Sequence, residues 1–297
     1  MYTPQDIERC FNAATRQYLE NKNRGGSSGQ KGTRYEDYFA VYKLAQLAPQ
    51  ILETGLAVYF TGQILAFVDD LIIDIPSQPL QHYQLKNSKT VSWSTGPHPI
   101  QDDFANQYHL NQVVCARASQ LFLVIADATC ADTLKASIPS VVQTFSQVLH
   151  FPYSPDILTV VAQVPDFHAA LAYLSAFETP APDKIDFVAK ALIGAWITSS
   201  AANPSGHDLL TQAQSQSPQY IRSFQPDLDL DPEVKEILKN IEDFEYNLAK
   251  GFLHWDYANG LQSGTPPYSI ETDPFRRLQE RIKDLRPATF EELENLL

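Results

Sequence analysis

Apolar positions along the chain recur at two periods, three-to-four and two, and the alternation between them predicts the element order. Ile7, Phe11, Ala14, Tyr18 and Leu19 are spaced as one face of a helix over 4–21. Residues 24–32, Arg-Gly-Gly-Ser-Ser-Gly-Gln-Lys-Gly, are too rich in glycine for regular structure and predict a flexible loop. A second helix follows. Thr33 and Glu36 have the spacing of a capping box, and Tyr35, Tyr38, Phe39, Tyr42 and Ala45 carry the apolar face to a stop at Pro49. Strand-like segments come next, at about 57–60, 64–75 and 82–86, the last two joined by the turn-forming Pro76-Ser-Gln-Pro79. The pattern is helical from Ile100 to Ala118, and Leu121-Phe-Leu-Val-Ile-Ala126 is a continuous apolar run of the kind found in strands buried on both faces. A helix over 132–149 and a strand over 157–164 complete the expectation for this segment: a mixed sheet with helices on its faces, ending at a boundary near 165. The remainder, 166–297, is expected to be mainly α-helical, with helices near 166–177, 183–200, 207–213, 231–258 and 272–286.

Composition keeps this among globular proteins, since 44% of the 297 residues are hydrophobic and 19% charged. The longest nearly apolar run, Leu121 to Ala126, is far short of the roughly 20 residues a membrane span needs. Gln5, Asp6, Glu8 and Arg9 interrupt the first residues, unlike a signal peptide, so a cytoplasmic protein is expected. Cys10, Cys115 and Cys130 are odd in number and widely spaced, which suits core thiols better than a disulfide framework. Net charge is −13, and its distribution matters more than its total. Residues 1–150 hold 11 basic and 13 acidic side chains, against 11 and 22 in 151–297. Lys22, Arg24, Lys31 and Arg34 cluster around the glycine-rich loop, making a local basic patch that could approach a DNA backbone.

Candidate chemistry lies in the strand-like segments. Phe67-Val-Asp-Asp-Leu-Ile-Ile-Asp74 places acids inside an apolar run, and such acids pair or bind metal because an isolated buried carboxylate is costly. In His82-Tyr-Gln-Leu-Lys-Asn87, alternation sends His82, Gln84 and Lys86 to one face. Carboxylate and carbonyl oxygens suit Mg²⁺, and a lysine supplies a cation for the attacking water or for charge developing on a phosphate. Asp70 with the Gln84-Leu85-Lys86 triplet resembles the PD-(D/E)xK nuclease superfamily in its Q-x-K form, and Glu36 resembles the acid that the first helix of that fold contributes. More narrowly, the glycine-rich loop, Tyr35-Glu-Asp-Tyr-Phe39, Val68-Asp-Asp-Leu71, Tyr83-Gln-Leu-Lys-Asn-Ser88 and Trp93 are similar to the double-stranded DNA endonuclease domains of bacterial anti-phage effectors. The resemblance covers roughly 20–130.

The resemblance implies a restriction-endonuclease-like domain over 1–165 and a helical assembly or regulatory domain over 166–297. It implies a Mg²⁺-dependent (or Mn²⁺-dependent) endonuclease. Asp70, Gln84 and Glu36 would hold the metal, Lys86 would assist water attack, and the basic patch would meet double-stranded DNA. Control by assembly follows as an expectation, through a homo-oligomer or a complex with a sensor or ATPase subunit. A non-catalytic scaffold that keeps the fold is the alternative, and RNA cleavage would use the same residues. Plainer roles stand beside these. Glu36 suffices as a cap, a mid-strand lysine can snorkel at a sheet edge, Asp69 is expected to face solvent or a helix, Asp74 to be surface, and His82 to be an ordinary strand-end residue. The loop over 25–33 lacks the Gly-Lys-Ser/Thr order and the leading strand of a phosphate-binding loop, so no nucleoside triphosphate is expected here. The stripe Phe275, Leu278, Ile282 and Leu285, ringed by basic residues, is expected to dock on its own domain or on a partner.

Overall fold

The computed structural model describes residues 2–26, 30–225 and 228–297, with the side chains of 24–26 and 30–33 outside that description. By its internal contacts the chain divides into two units, residues 1–170 with 192–210, and residues 171–191 with 211–297.

In the first unit, helix α1 (Pro4–Cys10) starts at a reciprocal cap: Thr3 Oγ1 accepts from the Asp6 amide at 3.1 Å, and Asp6 Oδ2 accepts from the Thr3 amide at 3.0 Å. The single helix expected over 4–21 is in fact two. Asn12 Oδ1 accepts from the Thr15 amide at 2.9 Å, capping a new helix, α2 (Ala13–Gly26). Helix α3 (Gln30–Thr54) begins earlier than the expected cap at Thr33, whose hydroxyl lies outside the described residues, and it runs through Pro49. Its end is set instead by Gly55, at φ +69, the left-handed geometry that terminates helices.

Five strands form one mixed sheet in sequence order: β1 (Tyr59–Thr61), β2 (Leu71–Asp74), β3 (Leu80–Lys86), β4 (Ser119–Ile125) and β5 (Ser146–His150). The first three are antiparallel, with Phe60 opposite Ile73 and Ile72 opposite His82. β3, β4 and β5 are parallel, with Gln84 opposite Leu123 and Leu123 opposite Val148. Helix α4 (Ile100–Leu110), continued by a π-helical turn over Asn111–Cys115, makes one crossover, and α5 (Ala128–Ala136) makes the other. Helix α3 covers one face, where Tyr83 stacks on Phe122 at 4.6 Å and meets Phe39 at 5.2 Å. Leu121, Leu123 and Ile125 face the opposite way, in a core with Phe104 of α4 and Leu134 of α5.

Three further sequence expectations fail in this unit for identifiable reasons. The strand expected over 64–75 is regular only from Leu71, and the residues before it are bends. The helix expected over 132–149 ends at Ala136, because Ser146–His150 pairs with β4. The apolar run 157–164 is helix α6 (Ile157–Gln163). Asp156 Oδ2 accepts from the Thr159 amide at 3.0 Å, and the buried residues, Ile157, Val160 and Val161, have helical spacing.

Beyond it lie α7 (Pro165–Leu174), α8 (Pro182–Thr198), α9 (Gly206–Gln216) and α10 (Pro232–Lys239). The helix expected over 231–258 stops at Lys239, and its remainder is the hairpin of β6 (Phe244–Ala249) and β7 (Phe252–Tyr257), joined by Lys250 and Gly251 at φ +55 and +83. Both positive angles are what a tight two-residue hairpin turn demands. With β8 (Gln262–Gly264) they make a second, antiparallel sheet, so this part is not mainly helical throughout. Helices α11 (Asp273–Leu285) and α12 (Phe290–Glu294) close the chain. The stripe of Phe275, Leu278 and Ile282 is buried in that unit's core, whereas Leu285 is exposed. Among the described residues no single helix is long and apolar enough to cross a membrane.

Candidate active site

Asp70 sits at the residue before β2 begins, opposite the middle of β3. Its Oδ2 accepts from the Leu85 amide at 2.6 Å and also from the Gln84 side-chain amide. The second β3 residue of interest, Lys86, shares the face of Gln84, and its charge is felt at Asp69 and at Asp103. Glu36 comes from the second turn of α3. Its Oε2 accepts from Gln63 Nε2 at 2.6 Å, and Gln63, at φ +54, donates its own amide to the Asp69 carbonyl at 2.9 Å. Gln63 therefore ties the α3 acid to the segment that carries both aspartates.

Electrostatics mark this cluster. Burial first, and the neighbouring Asp70 charge second, push the Glu36 carboxyl up to about 7, with the Gln63 amide pulling the other way. Burial also raises Asp69, to about 6, against the opposing pull of Lys22. Both aspartates precede the regular part of β2, and Asp69 faces a helix, one of the two positions expected for it. Asp69 is buried against helix α2, where Lys22 Nζ pairs with its Oδ1 at 3.0 Å. The same ammonium meets Gln84 Oε1 at 3.3 Å and Asp103 Oδ2 at 3.8 Å, and donates to the Phe67 carbonyl. Lys22 thus points inward rather than outward to solvent. Of the other residues in the expected basic patch, Arg34 is exposed, and the side chains of Arg24 and Lys31 lie outside the described residues. Asp74 stays apart from the cluster, in an ion pair with Arg117 at 2.7 Å.

Behind the aspartates lies a fully buried polar network. Gln107 Oε1 accepts from the Phe67 and Val68 amides at 2.9 and 3.2 Å, and its Nε2 donates to Tyr2 Oη and Asn111 Oδ1 at 3.0 and 3.1 Å. His82 Nδ1 lies 2.9 Å from the Val68 carbonyl, and its Nε2 lies 3.3 Å from the Tyr2 hydroxyl, which also donates to Asn111. Burial pulls His82 down to about 4, so the ring is neutral, and Nδ1 must carry the proton given to the Val68 carbonyl. His82 is therefore a clamp on the Phe67–Val68 backbone, more than a strand-end residue. Sequence reasoning passes over Gln63, Asp103, Gln107 and Asn111. A signal for three of them exists: Asp103, Gln107 and Asn111 recur every four residues on the helix that buries Phe104 and Leu110, a polar stripe where an apolar one is expected.

The donor chemistry accommodates a cation. Among the described residues no three His, Cys, Asp or Glu side chains converge as a metal-binding group. Mg²⁺, however, commonly takes one or two carboxylates and fills its remaining positions with waters and substrate phosphate oxygens. Glu36 and Asp70 are such a pair, and the upward push that burial and the Asp70 charge give the Glu36 carboxyl is what a bound divalent ion would relieve. Compared with family models, with curated proteins and with solved structures, the chain finds no match in any of the three.

Proposed function

We propose that this chain is a Mg²⁺-dependent DNA endonuclease with a restriction-endonuclease-like core, in which Glu36 and Asp70 hold the ion and Lys86 faces the scissile phosphate. Mn²⁺ would serve in the same position. The observation that carries this reading is the raised carboxyl of Glu36 beside Asp70, next to Gln84 and Lys86 on one strand. The order helix, three-strand antiparallel sheet, helix, parallel strand supports it, as does the placement of the α3 acid beside Asp70, the acid just before β2.

When bound, the divalent ion supplies Lewis acidity to the phosphate and lowers the pKa of a water. The chain's own groups do the rest. The Leu85 amide and the Gln84 side chain fix one oxygen of Asp70, leaving the carboxylate a set direction. Gln63 does the same for Glu36. Lys86 places a positive charge where charge develops on the phosphate. The Gln107–His82 network holds the backbone immediately before Asp69 and Asp70, so both acids are oriented before substrate arrives. Under this reading the substrate is double-stranded DNA. A nuclease without a sequence-reading module needs restraint, so cutting depends on assembly, as a homo-oligomer or with a sensor or ATPase subunit of an anti-phage complex.

The test is cleavage of plasmid DNA by the protein at several concentrations, with its neighbouring gene products, in Mg²⁺ or EDTA. Wild type should cut only with the metal, and Lys86→Ala should cut about 100-fold or more slowly, the usual cost of losing one charge-stabilising group. Intact DNA under every condition would favour a non-catalytic scaffold, and cutting of RNA alone would move the substrate class.

A further inference from the structure

The environment of Lys22 is unusual for a structural ion pair, which needs only one carboxylate. Its ammonium is met by four oxygens of three chemical kinds: the Phe67 backbone carbonyl, the Gln84 amide carbonyl at 3.3 Å, and carboxylate oxygens of Asp69 at 3.0 Å and Asp103 at 3.8 Å. They come from separate segments, the bend before β2, the strand β3 and the helix α4, and the ammonium reaches them from α2. An ammonium has three N–H donors, which the Phe67, Asp69 and Gln84 oxygens can take, so the Asp103 carboxylate at 3.8 Å adds negative charge to the cradle without a hydrogen bond. Carboxylate, amide and backbone oxygens together are the ligands a hard divalent cation takes, at a higher coordination number. The cradle also shares Gln84 with the Glu36–Asp70 pair, since the amide of Gln84 donates to Asp70 while its carbonyl faces Lys22.

We propose that Lys22 is the fixed cation of this site, occupying with its ammonium the position of a second metal ion, so that the protein works with a single divalent ion. The idea rests on the nuclease reading for its role but not for its geometry. Two-metal sites place the second ion to stabilise the phosphate opposite the first. Here a single positive charge on a side chain takes that place, and the neutral carbonyl of Gln84, instead of a third carboxylate beside Asp69 and Asp103, matches the smaller charge. Lys22 is then a positioning residue: it holds the Gln84 side chain turned so that its amide meets Asp70, and it neutralises Asp69 within the buried segment.

Calorimetric titration of the full chain with Mn²⁺, comparing wild type, Lys22→Met, Lys22→Ala and Lys22→Arg, tests this directly. Removing the ammonium empties an oxygen cradle, so Lys22→Met and Lys22→Ala should each take up one more Mn²⁺ per chain than wild type. Lys22→Arg, which keeps the charge, should not. If the nuclease reading alone were wrong, wild type would bind no Mn²⁺ and Lys22→Ala would bind one, so the gain would persist. Should the neutral variants prove too unstable to titrate, Mn²⁺ should raise their melting temperatures more than it raises that of wild type, since a ligand stabilises only the state that binds it. Equal stoichiometry in wild type and both neutral variants, or equal melting shifts, would overturn the proposal.

Discussion

Glu36 concentrates the physical tension of the molecule, because a carboxyl pushed up to about 7 by burial and by Asp70 is half protonated at neutral pH. The folded-state value lies above the unfolded one, so as pH rises from about 4.5 to above 7 the unfolded chain sheds its proton first and the folded state loses stability. Without metal, Glu36→Gln should therefore unfold at higher denaturant at pH 8, by about 1 kcal/mol after allowing for solvent screening, and should match wild type near pH 4. A divalent ion reverses the sign, because it requires the carboxylate. Metal affinity and cleavage should rise through pH 6–8 in wild type and stay low in Glu36→Gln, as followed by calorimetry and plasmid cutting. The buried network behind the aspartates carries a different cost. Gln107→Leu leaves the Phe67 and Val68 amides without an acceptor, so a loss of about 2–6 kcal/mol is expected in urea unfolding, at roughly 1–3 kcal/mol for each unmet group. Asp70, Gln84 and Lys86 are visible in sequence because each is ionisable or polar inside an otherwise apolar segment, and Glu36 because it has capping-box spacing from Thr33 and resembles the acid of a nuclease first helix. Lys22 is not, because nothing local distinguishes a lysine that turns inward to Asp69 and Asp103 from one that faces solvent beside a glycine-rich loop.

At the level of elements, apolar patterning locates segments better than it types them. Leu121–Ile125 is read correctly, since a continuous run of branched residues bounded by polar ones is a strand buried on both faces. The run 157–164 has the same look and is a helix, because Asp156 caps it. Caps decide equally at Asn12, where one expected helix becomes two. The hairpin of β6 and β7 is missed because its two-residue turn, Lys250-Gly251, falls inside a long run whose aromatic residues also fit helical spacing. Gly251 has no freedom to change: it lies at φ +83, and a Cβ there would stand 2.3 Å from the Cβ of Ser223. Gly251→Ala should destabilise the protein by about 1–3 kcal/mol in chemical denaturation, the usual cost of strain combined with overpacking. A value within about 0.5 kcal/mol of wild type would mean that the turn is not held as described.

On the scale of the whole molecule, sequence anticipates a mixed sheet flanked by helices, and the structure has one, with five strands. It does not anticipate the second sheet, nor that residues 192–210 belong with the first unit. Chain return of that kind depends on packing between distant segments, such as Thr61 Oγ1 with Asn203 Oδ1 at 2.6 Å and Trp196 Nε1 with Asp37 Oδ1 at 3.0 Å. Net charge bears on function at this scale. At −13 overall, an encounter with DNA must rely on local cations, so binding should weaken steeply as salt rises from about 50 to 200 mM, as read by fluorescence anisotropy of a labelled duplex. Salt-independent binding would argue against phosphate contact. The most direct test of the account is relaxation and linearisation of supercoiled plasmid by wild type and Asp70→Asn, each in Mg²⁺ and in EDTA. Cutting by wild type in Mg²⁺ alone is the result expected; equal cutting by Asp70→Asn, or cutting that persists in EDTA, would contradict it.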